Sequence, residues 1–220
     1  MDWLNDLITQ TDWVRVTDVA GLVLGLLYLW LEFKASIWLW LVSVIMPLVH
    51  GYTYFARGLY ADFGMEAYYV LVAIYGFIIW RFGAKQGADD KKKEKPITHQ
   101  PRRLIIPTLV VFLLLWGAIW WVLVSFTDSK VPVLDSFTTS LSMVAMWALA
   151  QKWVEQWLLW LVVDAVCCGL YIYKQIPFSA SLYGFYTIMA VLGYRNWLRL
   201  MRKQDSSATV ASSGSEETKL

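Results

Sequence analysis

The sequence predicts an all-α integral membrane protein with seven transmembrane helices, arranged as two parallel three-helix repeats joined by a single helix. Two observations carry this prediction, the composition and an internal repeat. Apolar residues form 58% of the 220 positions and charged residues 16%, a balance that is unusual for soluble domains. Residues 40–80 also reappear 117 positions later, as residues 157–197. The matched pairs include Trp40/Trp157, Tyr69/Tyr186, Ala73/Ala190, Gly76/Gly193 and Trp80/Trp197.

Seven stretches of the chain are apolar enough to cross a bilayer. A hydrocarbon core of about 30 Å needs about 20 mostly apolar residues in a helix, and seven segments reach or nearly reach that length. In chain order they are residues 16–33, 37–55, 65–82, 104–126, 134–150, 153–173 and 178–198. No remaining stretch could build a separate soluble core, so we predict a single transmembrane domain over residues 1–203.

The repeat decides how these spans are organised. The first repeat covers about 16–82 and the second about 134–198, with a linker at 83–103. A second three-helix copy would insert upside down unless one more crossing intervened, and the span at 104–126 supplies that crossing. The run 89–95 and the tail 204–220 lack the apolar residues that folding requires. We therefore expect both to be solvated and flexible, with the tail a disordered cytoplasmic segment.

Basic residues predict the orientation, because Lys and Arg accumulate in short cytoplasmic loops. Of the 19 Lys and Arg residues, all but four lie on one side of the seven-span model. The four exceptions are Arg15, Arg57, Lys130 and Lys174. This distribution places the N-terminus outside and the C-terminus in the cytoplasm. It also accounts for the net charge of +2 without a nucleic-acid partner.

The sixth span carries a stripe of tryptophans that ends in a carboxylate. Trp157, Trp160 and Asp164 share one helical face. At 1.5 Å per residue, Asp164 lies about 16 Å from the start of the span. A carboxylate at that depth costs about 2.5–3.5 kcal/mol on insertion scales, so it should face a polar cavity or a partner. The alternatives are an interhelical hydrogen bond for Asp164 and, for the tryptophans, an interfacial belt or a packing role.

Spans three and seven carry a second stripe, in which Glu66 and Tyr69 correspond to Tyr183 and Tyr186. Aromatic rings beside carboxylates favour a flat organic cation. The candidate substrate-binding residues are Trp40, Glu66, Tyr69, Trp157, Trp160, Asp164, Tyr183 and Tyr186. No catalytic or phosphate-binding motif appears, and His50 has no second ligand at metal-binding spacing. We therefore predict a protein that is not an enzyme and has no metal or cofactor.

Three segments together resemble the nicotinamide riboside transporter family, the Pnu-type vitamin transporters. They are GLYADFGMEAYYVLVAIYGFIIW at 58–80, VEQWLLWLVVDAVCCGLYIYK at 154–174 and SLYGFYTIMAVLGYRNW at 181–197. The resemblance implies a 3+1+3 architecture similar to a full-length SWEET fold, in a bacterial inner membrane. It also implies uptake of nicotinamide riboside by facilitated diffusion, trapping by a cytosolic kinase, and a homotrimer.

Two alternatives stay open at this point. Transport of thiamine, or of another cationic or aromatic vitamin precursor, within the same family is one. Glu66 stands where many nicotinamide riboside members have Gln and could pair with the aminopyrimidine of thiamine. A seven-helix sensor or receptor is the other. Retinal attachment would require a lysine in the last span, and residues 178–198 contain none.

Overall fold

The computed structural model describes residues 23–56, 60–83, 94–127 and 129–217, and these ranges are helical almost throughout. Seven helices occur in them. They are α1 (Val23–Phe33), α2 (Leu39–Ala56), α3 (Tyr60–Phe82), α4 (Arg102–Phe126), α5 (Pro132–Ala150), α6 (Gln156–Tyr173) and α7 (Pro177–Glu217). Each predicted span coincides with one helix, although the start of the first span lies outside the described residues. The all-helical prediction is therefore confirmed.

Within the described ranges, three helices are both long and apolar enough to cross a bilayer, namely α4, α5 and α6. In sequence order they pack one against the next, and α6 packs against α7. The buried face of α5 carries small side chains such as Ser136, Ser140 and Ala145, which let neighbouring helices approach closely. In contrast, α4 buries none of its residues, as expected of a helix that faces lipid.

The last helix is longer than its predicted span. α7 has 41 residues and continues to Glu217, through much of the tail for which the composition predicts disorder. A Ser- and Glu-rich composition rules out a packed core but does not break a helix, because extending an existing helix adds one hydrogen bond per residue. Gln204 is fixed in this extension, where its Oε1 accepts a hydrogen bond from the Ile97 N–H at 3.1 Å.

The chain divides into two compact units, residues 1–77 and 78–220. In the first unit, the turn between α1 and α2 contains Ala35 in the left-handed conformation, with φ of 50°. The Ser36 N–H reaches back to the Leu31 carbonyl at 2.9 Å, and the Ala35 N–H to the Glu32 carbonyl at 2.9 Å. Such bonds satisfy the last carbonyls of a helix at a left-handed C-terminal residue.

In the second unit, the turn between α5 and α6 repeats this arrangement. Lys152 has φ of 59°, its N–H reaches the Leu149 carbonyl at 2.8 Å, and the Trp153 N–H reaches the Ala148 carbonyl at 3.1 Å. Seven backbone hydrogen bonds of the first turn have counterparts 117 residues later. This correspondence is what the internal repeat predicts, while the 3+1+3 plan itself stays a prediction.

The end of the linker is bound to the α5–α6 turn. The Thr98 N–H donates to the Lys152 carbonyl at 3.1 Å, and the Val154 N–H donates to the Thr98 carbonyl at 3.0 Å. Lys95 Nζ donates to Gln151 Oε1 at 2.8 Å. The prediction that the run 89–95 is solvated and flexible is therefore wrong for its last residue, Lys95. A hydrogen bond to Gln151 on the turn orders this residue although the run lacks apolar side chains.

Lys152 is the most buried part of this contact. Its Nζ lies 3.3 Å from Glu94 Oε2 and 4.2 Å from the centroid of the Trp80 ring. Burial lowers the pKa of Lys152, and the ion pair and hydrogen bond with Glu94 partly raise it again. A buried ammonium needs such partners, since an unpaired charge away from water is costly. We refer to Glu94, Lys152 and Trp80 as the lysine clamp.

Candidate functional site

Two of the predicted site tryptophans are packed against glycines. In the first unit, Trp40 is buried and its ring lies directly on Gly76. In the second unit, Trp157 is 2% exposed and its ring lies on Gly193, where an added Cβ would be 2.6 Å from the ring. The structure therefore favours the packing alternative for the ring faces of Trp40 and Trp157.

The second unit brings Asp164 together with aromatic side chains of α7. Asp164 is 7% exposed and interacts electrostatically with Tyr183 and Tyr186. The rings of Tyr171 and Tyr183 stack with centroids 5.2 Å apart and planes at 19°. Tyr186 meets Tyr183 edge-on at 5.9 Å. A buried carboxylate beside stacked aromatic rings is suited to a planar organic ligand with a positively charged or hydrogen-bonding ring.

A buried glutamine extends this arrangement along α6. Gln156 is 0% exposed, and neither its Oε1 nor its Nε2 has a hydrogen-bond partner among the described residues. The same is true of the Nε1 atoms of Trp157 and Trp160. Gln156, Trp160 and Asp164 follow one another at i, i+4 and i+8, on one side of the helix. An unsatisfied buried polar group costs about 1–3 kcal/mol, so these groups require water or a ligand.

Sequence analysis missed Gln156, although the repeat contained the signal. The matching position in the first unit is Leu39, which is also 0% exposed. The backbone surroundings of the two residues correspond, since the Leu39 N–H bonds to the Ser36 carbonyl and the Gln156 N–H to the Trp153 carbonyl. A leucine is therefore compatible with the fold at this position, so packing alone does not explain why Gln156 carries a polar amide.

The remaining predicted residues lie in the first unit. Glu66 and Tyr69 are half-buried on α3 and interact electrostatically. Tyr69 also interacts with Tyr28 of α1, and its ring lies 5.7 Å from that of Tyr68. Of the predicted residues, Glu66 and Tyr69 therefore form one group in the first unit, and Asp164, Tyr183 and Tyr186 form another in the second unit.

Metal binding has no support in the described part of the chain, where no three His, Cys, Asp or Glu side chains cluster. Cys167 and Cys168 are free thiols. Cys168 Sγ donates to the Ala180 carbonyl at 3.3 Å, a contact between α6 and α7 that fits a packing role.

A helical membrane protein with an interior carboxylate and orphaned polar groups beside aromatic rings has the features of a transporter. The model of the nicotinamide mononucleotide transporter family matches residues 15–199, and the chain belongs to that family. This result confirms the resemblance seen in the sequence and supports a transporter rather than an enzyme.

Individual relatives agree with the family. A riboflavin/roseoflavin transporter of Streptomyces davaonensis is 29% identical over 94% of this chain and 96% of its own length. A nicotinamide riboside transporter of Neisseria mucosa is 28% identical over 82% of this chain and 71% of its own. The crystal structure of a vitamin B3 transporter aligns with a TM-score of 0.60 and 25% identity, covering 82% of this chain and 80% of that one.

Proposed function

We propose that this protein takes up nicotinamide riboside by facilitated diffusion, with trapping by phosphorylation inside the cell. The observation that carries the proposal is the burial of Asp164 beside Tyr183 and Tyr186, with Tyr171 stacked on Tyr183. The pyridinium ring of nicotinamide riboside is flat and positively charged, so it complements both the aromatic rings and the carboxylate. The substrate's charge would offset the cost of keeping a carboxylate inside the membrane.

Gln156 would allow the proposed site to discriminate between substrates. A glutamine amide offers one acceptor and one NH₂ donor, which can pair with both atoms of a carboxamide. A site with buried polar groups rejects ligands that leave those groups unpaired. Gln156 would therefore favour substrates with an amide or imide edge over purely apolar rings.

Facilitated diffusion is supported by the scarcity of acidic residues in α6 and in the first part of α7. Asp164 is the only acidic residue between positions 156 and 200, and proton or sodium relays in transporters use chains of such groups. The proposal also includes an outside N-terminus, a cytoplasmic C-terminus, a homotrimer and a partner kinase in the cytosol.

Riboflavin is the second candidate, favoured by the relative from Streptomyces davaonensis that aligns over almost the whole chain. The imide edge of the flavin ring would suit Gln156 as well as a carboxamide does, but the flavin carries no positive charge for Asp164. Thiamine is also cationic and stays an alternative because of Glu66. The three vitamins therefore differ in which residue should matter most.

Calorimetry on the purified protein separates these candidates. We expect nicotinamide riboside to bind more tightly than riboflavin or thiamine, and Asp164→Asn to weaken that binding at least tenfold, equivalent to about 1.4 kcal/mol. Leu158→Ala, at an exposed position of the same helix, serves as the control and should bind normally.

Each contrary result has a definite meaning. Tight riboflavin binding that survives Asp164→Asn but not Gln156→Leu would replace the first candidate with the second. Tight thiamine binding that is lost in Glu66→Gln would move the site to the first unit. Heat from none of the three vitamins would reject the proposal.

A further inference from the structure

The outer face of α7 changes from apolar to strongly basic along a single line. Phe185, Ile188 and Leu192 are exposed on this helix, and we call them the apolar stripe. The spacing of three and four residues then continues through three exposed arginines, Arg195, Arg199 and Arg202, which we call the arginine row. Residues spaced in this way lie on one side of a helix.

The arginine row lines a concave surface. Arg195, Arg199 and Arg202, with Leu198 between them, border a surface cavity of about 290 Å³. None of the three guanidinium groups forms an ion pair with an acidic side chain in the described part of the chain. Three like charges within about 10 Å of helix repel one another, so the row favours an anion that can bridge them.

We propose that this face of α7 is a binding site for an anionic phospholipid, with the phosphodiester headgroup on the arginine row and an acyl chain along the apolar stripe. Arginine binds phosphate oxygens through two parallel N–H donors, and it retains its charge at every physiological pH. The exposed apolar stripe requires hydrocarbon contact, and a lipid provides this contact and the phosphate in one molecule. A free phosphate would leave the stripe unused.

The position of the row along the helix supports a lipid. Leu192 is the last residue of the stripe, and Arg195 follows one turn later, so the transition from apolar to charged side chains is abrupt. Headgroup phosphates lie immediately outside the hydrocarbon region, where basic side chains next to a span attract anionic lipids. A general preference for basic cytoplasmic loops explains why the arginine row is positively charged. It does not explain why the row is aligned with the apolar stripe.

Native mass spectrometry of the purified full-length protein tests the site. The probes are phosphatidylglycerol, phosphatidylcholine with identical acyl chains, and inorganic phosphate. We expect phosphatidylglycerol to bind at least tenfold more tightly than phosphatidylcholine. The variant Arg195→Gln/Arg199→Gln/Arg202→Gln should lose this preference while remaining monodisperse, because all three side chains are exposed. The single variant Arg199→Gln should weaken it in part.

The matched control removes three positive charges elsewhere, in Arg102→Gln/Arg103→Gln/Lys203→Gln. All three of these side chains are exposed, and Lys203 lies next to Arg202 but off the row. This control should retain the preference for phosphatidylglycerol. If the control lost the preference for phosphatidylglycerol equally, net charge alone would explain the effect, and the proposal would be overturned. Equal binding of the two lipids, or displacement of phosphatidylglycerol by millimolar inorganic phosphate, would overturn it as well.

Discussion

Replacing Gly193 with alanine tests how tightly α6 and α7 are packed. A Cβ at this position would lie 2.6 Å from the ring of Trp157, well inside van der Waals contact. That ring cannot easily move away, because it is buried and meets Trp197 edge-on at a centroid distance of 5.9 Å. The same substitution at Gly184, also on α7, would place the Cβ 3.7 Å from Cys168 Sγ, an ordinary contact.

The two substitutions should therefore have opposite effects on stability. Alanine is favoured over glycine in a helix interior by about 1 kcal/mol, and this gain applies at both positions. Overpacking of a filled core costs about 1–3 kcal/mol, and this loss applies only at Gly193. We expect Gly184→Ala to be neutral or stabilising and Gly193→Ala to be destabilising by up to about 2 kcal/mol.

Thermal melting of the detergent-purified protein, followed by size-exclusion chromatography, measures the difference. Gly193→Ala should melt below the wild type and Gly184→Ala at or above it. The double variant Gly193→Ala/Trp157→Phe should recover part of the loss, since a smaller ring makes room for the methyl group and the two changes are then non-additive. A Gly193→Ala protein that melts no lower than Gly184→Ala would refute the packing argument.

Three further predictions concern the clamp, the orientation and the energetics of transport. Glu94→Gln should lower stability by about 1 kcal/mol, because it removes the charge partner of buried Lys152 from a half-exposed pair, and Lys203→Gln should change melting little in comparison. In a background without cysteines, an impermeant maleimide added to whole cells should label Lys130→Cys but not Ser206→Cys, and the reverse pattern would invert the proposed topology. Liposomes that contain only this protein should equilibrate nicotinamide riboside without concentrating it, even under an imposed proton or sodium gradient, and accumulation would contradict facilitated diffusion.

The helices could be predicted from the sequence because long, mostly apolar runs approach the length that a helix needs to cross a bilayer. The matching turns at Ala35 and Lys152 could be expected only in outline, since a repeat indicates equivalent positions but not a backbone conformation. The prediction from composition that Lys95 is solvated and flexible was wrong, because Lys95 is ordered by Gln151, which lies far away in the sequence. Patterns that describe a segment by its own residues cannot detect such a contact.

The sequence pattern could predict only part of the candidate site, again because it does not record contacts between distant residues. The helical spacing of Trp157, Trp160 and Asp164 follows from the period of the helix, but periodicity cannot distinguish a ring that packs on a glycine from one that contacts a ligand. The packing role of Trp157 therefore emerged only in three dimensions. Gln156 was overlooked because one polar residue at the start of an apolar span looks like an interfacial residue.

The correspondence between Leu39 and Gln156 makes one half of the molecule an internal reference for the other. In a duplicated protein, a buried position that is apolar in one copy and polar in the other reveals what the scaffold tolerates when selection for a ligand is absent. Pro47 opposite Asp164 is a further pair of this kind, since both residues are buried. A designer who wishes to change what this transporter carries could vary these second-copy positions and take the first copy as a guide to substitutions that preserve folding.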